Sequence, residues 1–417
     1  MAKRITFRHR KIYRRRYHFI VKDSFKVKMW HVGIRLCQKH LYGVVVCFLV
    51  TTLIWWTSGE SNQCLETEII QEVCKQYHEK YVSSSMCDAL CNSKELHIGA
   101  CIKTYENLMF FQNGQTVLTA ESNPLSTWRM RQISEGTQMN QFVTLVEDFL
   151  HTQLGDFDSA PLTLRIFDDF DINRDSQINL GEAQSIWSVL NQPYFLAFYH
   201  LKSSSAIPHL NGTCGGLSVW HRPHMLSGSI LFRKDTPWPV RMFSTKAYRW
   251  TLPSWHHRAK VMLSLLEFVE EMYEKDGVRY HLCNADGRTL LHLGSFEIVI
   301  TEEVMLLSSQ QLATRLSNIT CHHSHDCVLT KQCQTFCDYS TQQCSGKVVR
   351  PTLAYICDIM EDYLLFDAPR LLKPGLMRLI HRCQGMSSYS LKADLLHSVV
   401  IIDLKSILWN TIQYEKK

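Results

Sequence analysis

Asp171, Asn173, Asp175, Gln177, Asn179 and Glu182 put oxygen donors at alternate positions of a twelve-residue run and close it with a glutamate. That pattern suits Ca²⁺, which takes six to eight oxygens at about 2.3–2.6 Å. Asp171, Asn173 and Asp175 supply the first side chains. The Gln177 carbonyl supplies the fourth ligand, Asn179 acts directly or through water, and Glu182 closes the set with both oxygens. Ile178 sits where paired EF-hand loops couple through a short strand. The sixth position calls for Gly, because the turn needs φ > 0, and here it is Ser176. No second loop of this kind occurs in the sequence. The alternative is an acidic turn of purely structural use.

Such a loop needs a helix on each side, and residues 162–170 and 182–190 have helical patterning. Phe142, Leu145, Val146 and Phe149 mark another helix over 142–154. The clearest helix runs over 255–274. Met262, Leu265, Leu266, Val269, Met272 and Tyr273 share one face, and Gly277 lies just past its end. Short β-like runs follow at 280–283 and 296–301, and helices are expected at 355–365 and 395–414. His256, His257, His322, His323 and His325 read as exposed loop residues rather than metal ligands.

The charge is unevenly distributed. Residues 1–40 hold thirteen Lys/Arg and one acid, Asp23, a local +12 against a whole-chain +6. The rest of the chain is mildly acidic, which argues against a nucleic-acid-binding domain. Residues 41–56 carry no charge and end in Trp55-Trp56. At 1.5 Å per residue they span roughly 24 Å, which suits the thinner ER bilayer. A signal anchor is expected over 41–57, with residues 1–40 cytosolic and the rest lumenal. Arg14-Arg15-Arg16 is either an ER retention signal or plain positive-inside charge. Fourteen of the sixteen cysteines follow the anchor, an even number that fits disulfides in an oxidising lumen. Zinc at Cys87-x3-Cys91 or Cys333-x3-Cys337 is the rival. Asn211-Gly-Thr and Asn318-Ile-Thr are glycosylation sequons.

A basic tail, one anchor, two cysteine clusters and a single EF-hand together resemble the divergent protein kinase domain 1 family. Cys87, Cys91 and Cys101, residues 136–156 and 171–183, Cys214-Gly-Gly-Leu, Pro253-Ser-Trp255 with 260–270, and 321–365 carry the resemblance. It implies an α+β, bilobal protein-kinase-like fold with an EF-hand inserted in the N-lobe, behind a single N-terminal transmembrane helix. The expected divisions are a tail at 1–40, the anchor at 41–57 and a cysteine-rich segment at 58–101. An N-lobe follows at 102–215 with the insert at 162–190, then a C-lobe at 216–417 with a second cysteine-rich block at 321–357. On this reading the helix at 255–274 precedes the catalytic loop.

Phosphoryl transfer in such a fold needs an N-lobe lysine, a helix glutamate, an aspartate base and metal-binding Asn and Asp residues. There is no lysine between Lys103 and Lys202. Residues 116–119 look like the lysine strand without its lysine, and Arg129 or Arg131 would substitute poorly. Thr144 falls near the orienting glutamate, with Glu147 displaced from it. The resemblance puts Asn284 at the proton-acceptor position, Thr289 at the metal-binding Asn and Glu302 at the second metal Asp. Asp286 is a base only if the loop is shifted by two residues. The expectation is an ER-lumenal pseudokinase, a scaffold or regulator of secretory-pathway proteins tuned by Ca²⁺. The alternative is an active atypical kinase using ATP and Mg²⁺ on secretory-pathway substrates. A structural glycoprotein that holds no nucleotide is a third reading.

Overall fold

The computed structural model describes residues 66–93, 101–105, 108–113, 116–121, 138–192, 194–221, 229–231, 249, 252–286, 289–300, 304–317, 319–388 and 392–414. The expected anchor at 41–57 lies outside them. Residues 64–417 form one compact unit.

The first part of the chain reads α1 (Glu66–His78), α2 (Cys87–Cys91), β1 (Cys101–Tyr105), β2 (Leu108–Asn113) and β3 (Thr116–Glu121). Four helices follow: α3 (Met139–Leu154), α4 (Ala160–Phe170), α5 (Leu180–Leu190) and α6 (Phe195–His200). Then come β4 (His209–Cys214), β5 (Leu217–His221) and β6 (Ser229–Ile230). The second part reads α7 (Trp255–Tyr273), β7 (Tyr280–Leu282), β8 (Leu291–His292), β9 (Ile298–Val299), β10 (Leu306–Ser308) and α8 (Ser309–Leu316). It ends with β11 (Thr335–Asp338), β12 (Gln343–Val348), α9 (Thr352–Leu364), α10 (Lys373–Gln384) and α11 (Ala393–Tyr414).

A five-stranded antiparallel sheet has the order β1-β2-β3-β5-β4. The helices α3 to α6 are all inserted between β3 and β4. The lobe boundary expected at 215/216 is corrected by this sheet, because it would cut between β4 and β5, which pair with each other. The first lobe therefore extends at least to His221.

In the second part, β7 pairs with β10, and β8 forms a hairpin with β9. The chain thus leaves β7, crosses the 283–290 loop, turns through the hairpin and returns beside β7. Behind these strands lies α7. Ser254 caps it, its Oγ accepting from His257 N. Val261, Met262, Leu265, Leu266, Val269 and Met272 are buried along it. It stops before a tight turn in which Asp276 and Gly277 both take positive φ, 51° and 82°. Gly fits such a position at little cost, and Asp tolerates it better than most residues. His256 and His257, expected to be exposed, are half-buried in the first turn of α7. The His257 ring packs on Phe296 at 4.6 Å.

The block expected as a cysteine-rich loop contains the β11–β12 hairpin. Cys321–Cys337 and Cys327–Cys344 fasten it. Four more disulfides join Cys74–Cys91, Cys87–Cys214, Cys283–Cys333 and Cys357–Cys383, and no described cysteine is free. Cys87, Cys91, Cys333 and Cys337 are all spent in these bonds, which removes the zinc reading. The helix α11 is long and apolar enough to cross a membrane by length and composition alone. Its Val400, Ile401, Leu404, Leu408 and Ile412 are buried in the main core, beside α7 and α10.

Arg258, on α7, is almost wholly buried. Its Nε donates to Pro253 O at 3.0 Å, and its Nη1 donates to Phe366 O at 2.9 Å and to Tyr363 O. These bonds tie the start of α7 to the end of α9. Arg258→Ala would leave three carbonyls unpaired and a cavity in the core. We predict a loss of about 3–5 kcal/mol in unfolding free energy, read by denaturant titration. A loss under about 1 kcal/mol would mean that water replaces the guanidinium.

Candidate functional site

Two places hold the residues singled out by sequence. The first is the loop between α4 and α5. Asp171 Oδ2 accepts from Ser176 N at 2.8 Å and Asp175 Oδ1 accepts from Gln177 N at 2.8 Å. Asn173 Nδ2 donates to Asp175 Oδ2 at 2.8 Å. Ser176 has φ 62°, so the left-handed turn expected for a glycine is made by serine. Ile178 is half-buried against the core and lies in no strand.

Asn179 caps α5. Its Oδ1 accepts from Glu182 N, while Glu182 Oε2 accepts from Asn179 N, both at 3.0 Å. Glu182 Oε1 also accepts from Ile172 N at 3.2 Å. The carboxylate is 1% exposed and joins the two ends of the loop. All six sequence-predicted ligands therefore lie on one short turn. The loop is coupled to the rest of the lobe. Ser83 N donates to Gly181 O and to Ser185 Oγ, both at 3.1 Å. A Cβ at Gly181 would come within 3.2 Å of Lys80 O, so α5 sits directly on the turn after α1.

The second place is the loop after β7. Asn284 Oδ1 accepts from Met305 N at 2.5 Å, and Met305 O accepts from Cys283 N at 2.8 Å. Cys283 is disulfide-bonded to Cys333. Thr330 Oγ1 donates to Cys283 O, and Gln332 Nε2 donates to Ala285 O at 3.1 Å. Three consecutive residues, 283–285, are thus held by the cysteine-rich block and by the strand-leading residue Met305. Thr289 Oγ1 accepts from Asp286 N at 2.9 Å and lies 3.2 Å from Asn284 O. Asp286 Oδ1 accepts from Thr289 N at 3.0 Å. Asn284, Asp286 and Thr289 share one small turn. Glu302 lies outside the described residues.

The strand β3 lies between β2 and β5, and its residues Thr116–Glu121 include no lysine. Lys103 is on β1, at the far edge of the sheet. Lys202 pairs with Asp169 at the end of α4 and stands 4.2 Å over the Tyr199 ring. Thr144 Oγ1 donates to Asn140 O at 3.1 Å, a bond within its own helix. Glu147 on α3 is half-buried. Arg129 and Arg131 lie outside the described residues. The link between α3 and β10 is made by Ser308, whose Oγ donates to Gln153 O at 2.5 Å. Sequence gave no signal for Met305, Thr330 or Gln332, because side chain-to-backbone bonds between distant residues leave no pattern.

This arrangement is that of a kinase-like domain: an N-lobe sheet, a long buried helix, and a loop and hairpin that fold back on one strand. Residues 186–386 match the family model described as the protein-kinase domain of FAM69, and residues 34–166 match the one described as its N-terminal cysteine-rich ER segment. The chain belongs to the FAM69, or divergent protein kinase domain 1, family. With its disulfides it is a kinase-like protein of the secretory pathway.

His281, on β7, is buried just ahead of the loop, its Nε2 2.9 Å from Ser309 Oγ. Burial first, and the nearby Arg279 charge second, push its pKa down from 6.5 to about 4. The folded state therefore favours neutral imidazole. That contribution is intact above pH 6.5 and is lost as pH falls toward 4. We predict that lowering the pH from 7 to 5.5 costs about 1 kcal/mol of stability through His281 alone. Denaturant unfolding at both pH values checks this, and His281→Asn should flatten the slope. An unchanged slope would assign the pH dependence to other groups.

Proposed function

We propose that this protein is a pseudokinase of the ER lumen, anchored through residues 41–57 as a single-pass type II membrane protein. It acts as a scaffold or regulator for secretory-pathway proteins. The observation that carries this is Asn284. An amide at the proton-acceptor position has no basicity to take a hydroxyl proton, and its oxygen is committed to Met305 N. Two further features support the reading. The strand β3 lacks the lysine that would hold the α- and β-phosphates. Thr289 stands where an Asn would bind metal, with its hydroxyl engaged inside the turn.

The loop at 171–182 would hold Ca²⁺ through Asp171, Asn173, Asp175, the Gln177 carbonyl, Asn179 and Glu182. Its oxygen-only donor set is what a hard cation takes. A buried Glu182 carboxylate bonded solely to backbone N–H groups in the described structure, and a positive φ at Ser176, fit the closing and turning positions of such a loop. Calcium there would stiffen the α4–α5 pair against the disulfide-linked turn that follows α1. The second reading, an active kinase, is favoured by one observation: Asp286 is exposed on the same turn as Asn284.

Incubating the purified, disulfide-bonded protein with labelled ATP, Mg²⁺ or Mn²⁺, and secretory-pathway proteins separates the two. We predict no phosphate incorporation above a heat-inactivated control, with or without Ca²⁺. Incorporation abolished by Asp286→Asn would establish the kinase. In the same preparation Ca²⁺ should raise the melting temperature by a few degrees, and Glu182→Gln should remove that rise.

A further inference from the structure

Asn211 lies at a bulge in β4, the edge strand of the N-lobe sheet. Leu210 pairs with Trp220 and Gly212 with Val219, so Asn211 is the extra residue. A bulge re-aims its side chain, and Asn211 is exposed. The bulge cannot swing away. A Cβ at Gly212 would come 2.4 Å from Ser85 Oγ and 2.6 Å from Met86 Cγ. Thr213 O accepts from Met86 N at 2.9 Å. Asn211 also opens the sequon completed by Thr213.

Beside it is a cavity of about 760 Å³, within the size range of small-ligand sites. One wall is α4, which leads directly into the 171–182 loop and contributes Arg165 and Phe170. Another is the turn after α7, with Lys275 and Asp276. Lys202 is neutralised by Asp169, Lys275 Nζ donates to Ser203 Oγ at 3.2 Å, and Asp276 Oδ2 lies 3.3 Å from His200 Nε2. Arg165 is half-buried, and its guanidinium has no hydrogen bond or ion pair among the described residues. The lining is therefore mixed in charge, rich in donors and acceptors, and apolar at Phe170 and Leu210. That suits an N-acetylhexosamine, which offers hydroxyls, an acetamide carbonyl for a lone guanidinium, and an apolar ring face. It suits a multiply charged anion less, because two carboxylates line the same space.

We infer that an N-linked glycan on Asn211 seats its inner N-acetylglucosamine residues in this cavity and straps α4 to the turn at 275–277. The attachment is ordinary group transfer from a lipid-pyrophosphate-linked oligosaccharide. Asn211 Nδ2 forms a bond to the sugar C1, the C1–O bond to phosphate breaks, the amide gives up a proton, and the lipid pyrophosphate leaves. Tethered beside the cavity, the first sugars face it at high effective concentration. The inference rests on the lumenal placement proposed above.

The test uses full-length protein carrying Asn318→Gln, made in cells that add high-mannose glycans. One sample is trimmed natively to a single N-acetylglucosamine, and a second is stripped by an amidase that leaves aspartate. Amide hydrogen exchange is then followed over residues 165–176 and 274–280. The intact and trimmed forms should exchange about threefold or more slower in both segments than the stripped form. Arg165→Gln should lose that protection while keeping the glycan. Equal exchange in trimmed and stripped protein would overturn the inference, since the sugar would then lie in solvent. Mass spectrometry of the wild type keeps the two failures apart. A glycan on Asn318 but not on Asn211 overturns this inference alone, whereas none on either overturns the lumenal placement as well.

Discussion

The loop that follows β7 is clamped, and the character of the molecule follows from that. Cys283 is covalently joined to Cys333, Ala285 O receives a bond from Gln332, and Asn284 Oδ1 receives one from Met305 N. Each bond is ordinary, but together they fix three consecutive residues from two directions. A kinase loop must present a carboxylate to a substrate hydroxyl. Here the loop holds Asn284, whose amide oxygen is turned toward the protein's own backbone. The cysteine-rich block serves as a brace for this loop, and its three buried disulfides make the brace rigid.

The rest of the chain supports that brace or hangs from it. The helix α7 provides the floor, fastened to α9 by Arg258. The pairing of β7 with β10 sets the height of the loop, and Ser308 carries the connection on to α3. Through α3 the inserted pair α4–α5 joins the same body. The insert also reaches the first disulfide-linked segment through Ser83, and the β4 strand through Cys87–Cys214. A ligand at the 171–182 loop would thus act on elements that already touch both ends of the domain, without any need for a long-range hinge.

Much of this was legible in the sequence, for local reasons. The helix α7 announces itself through 3.6-residue periodicity and a Gly just past its end, and the helices α4 and α5 through the patterning of 162–170 and 182–190. The absence of a lysine from β3 needs only reading. Other features were hidden by their physics. The helix α10 opens with Lys373-Pro-Gly, which reads as a turn, although Leu376, Ile380 and Cys383 stand at helical spacing and are buried. The β11–β12 hairpin is held by cross-links instead of an alternating apolar pattern. An even cysteine count predicts disulfides but not that Cys87 reaches Cys214, 127 residues away. The boundary between lobes was misplaced because the β4–β5 turn at Gly215 looks like a break in sequence, yet is a hairpin inside one sheet.

On the proposed reading, the kinase-like body no longer holds nucleotide with metal. Nucleotide binding by the folded, disulfide-bonded protein tests it most directly. Melting should be followed while ATP is titrated with Mg²⁺ or Mn²⁺, since a ligand at a hundredfold excess over its Kd stabilises the folded state by about 2.7 kcal/mol. No metal-dependent ATP shift is expected. A shift of several degrees that requires both ATP and metal would contradict that reading and reopen the question of phosphotransfer.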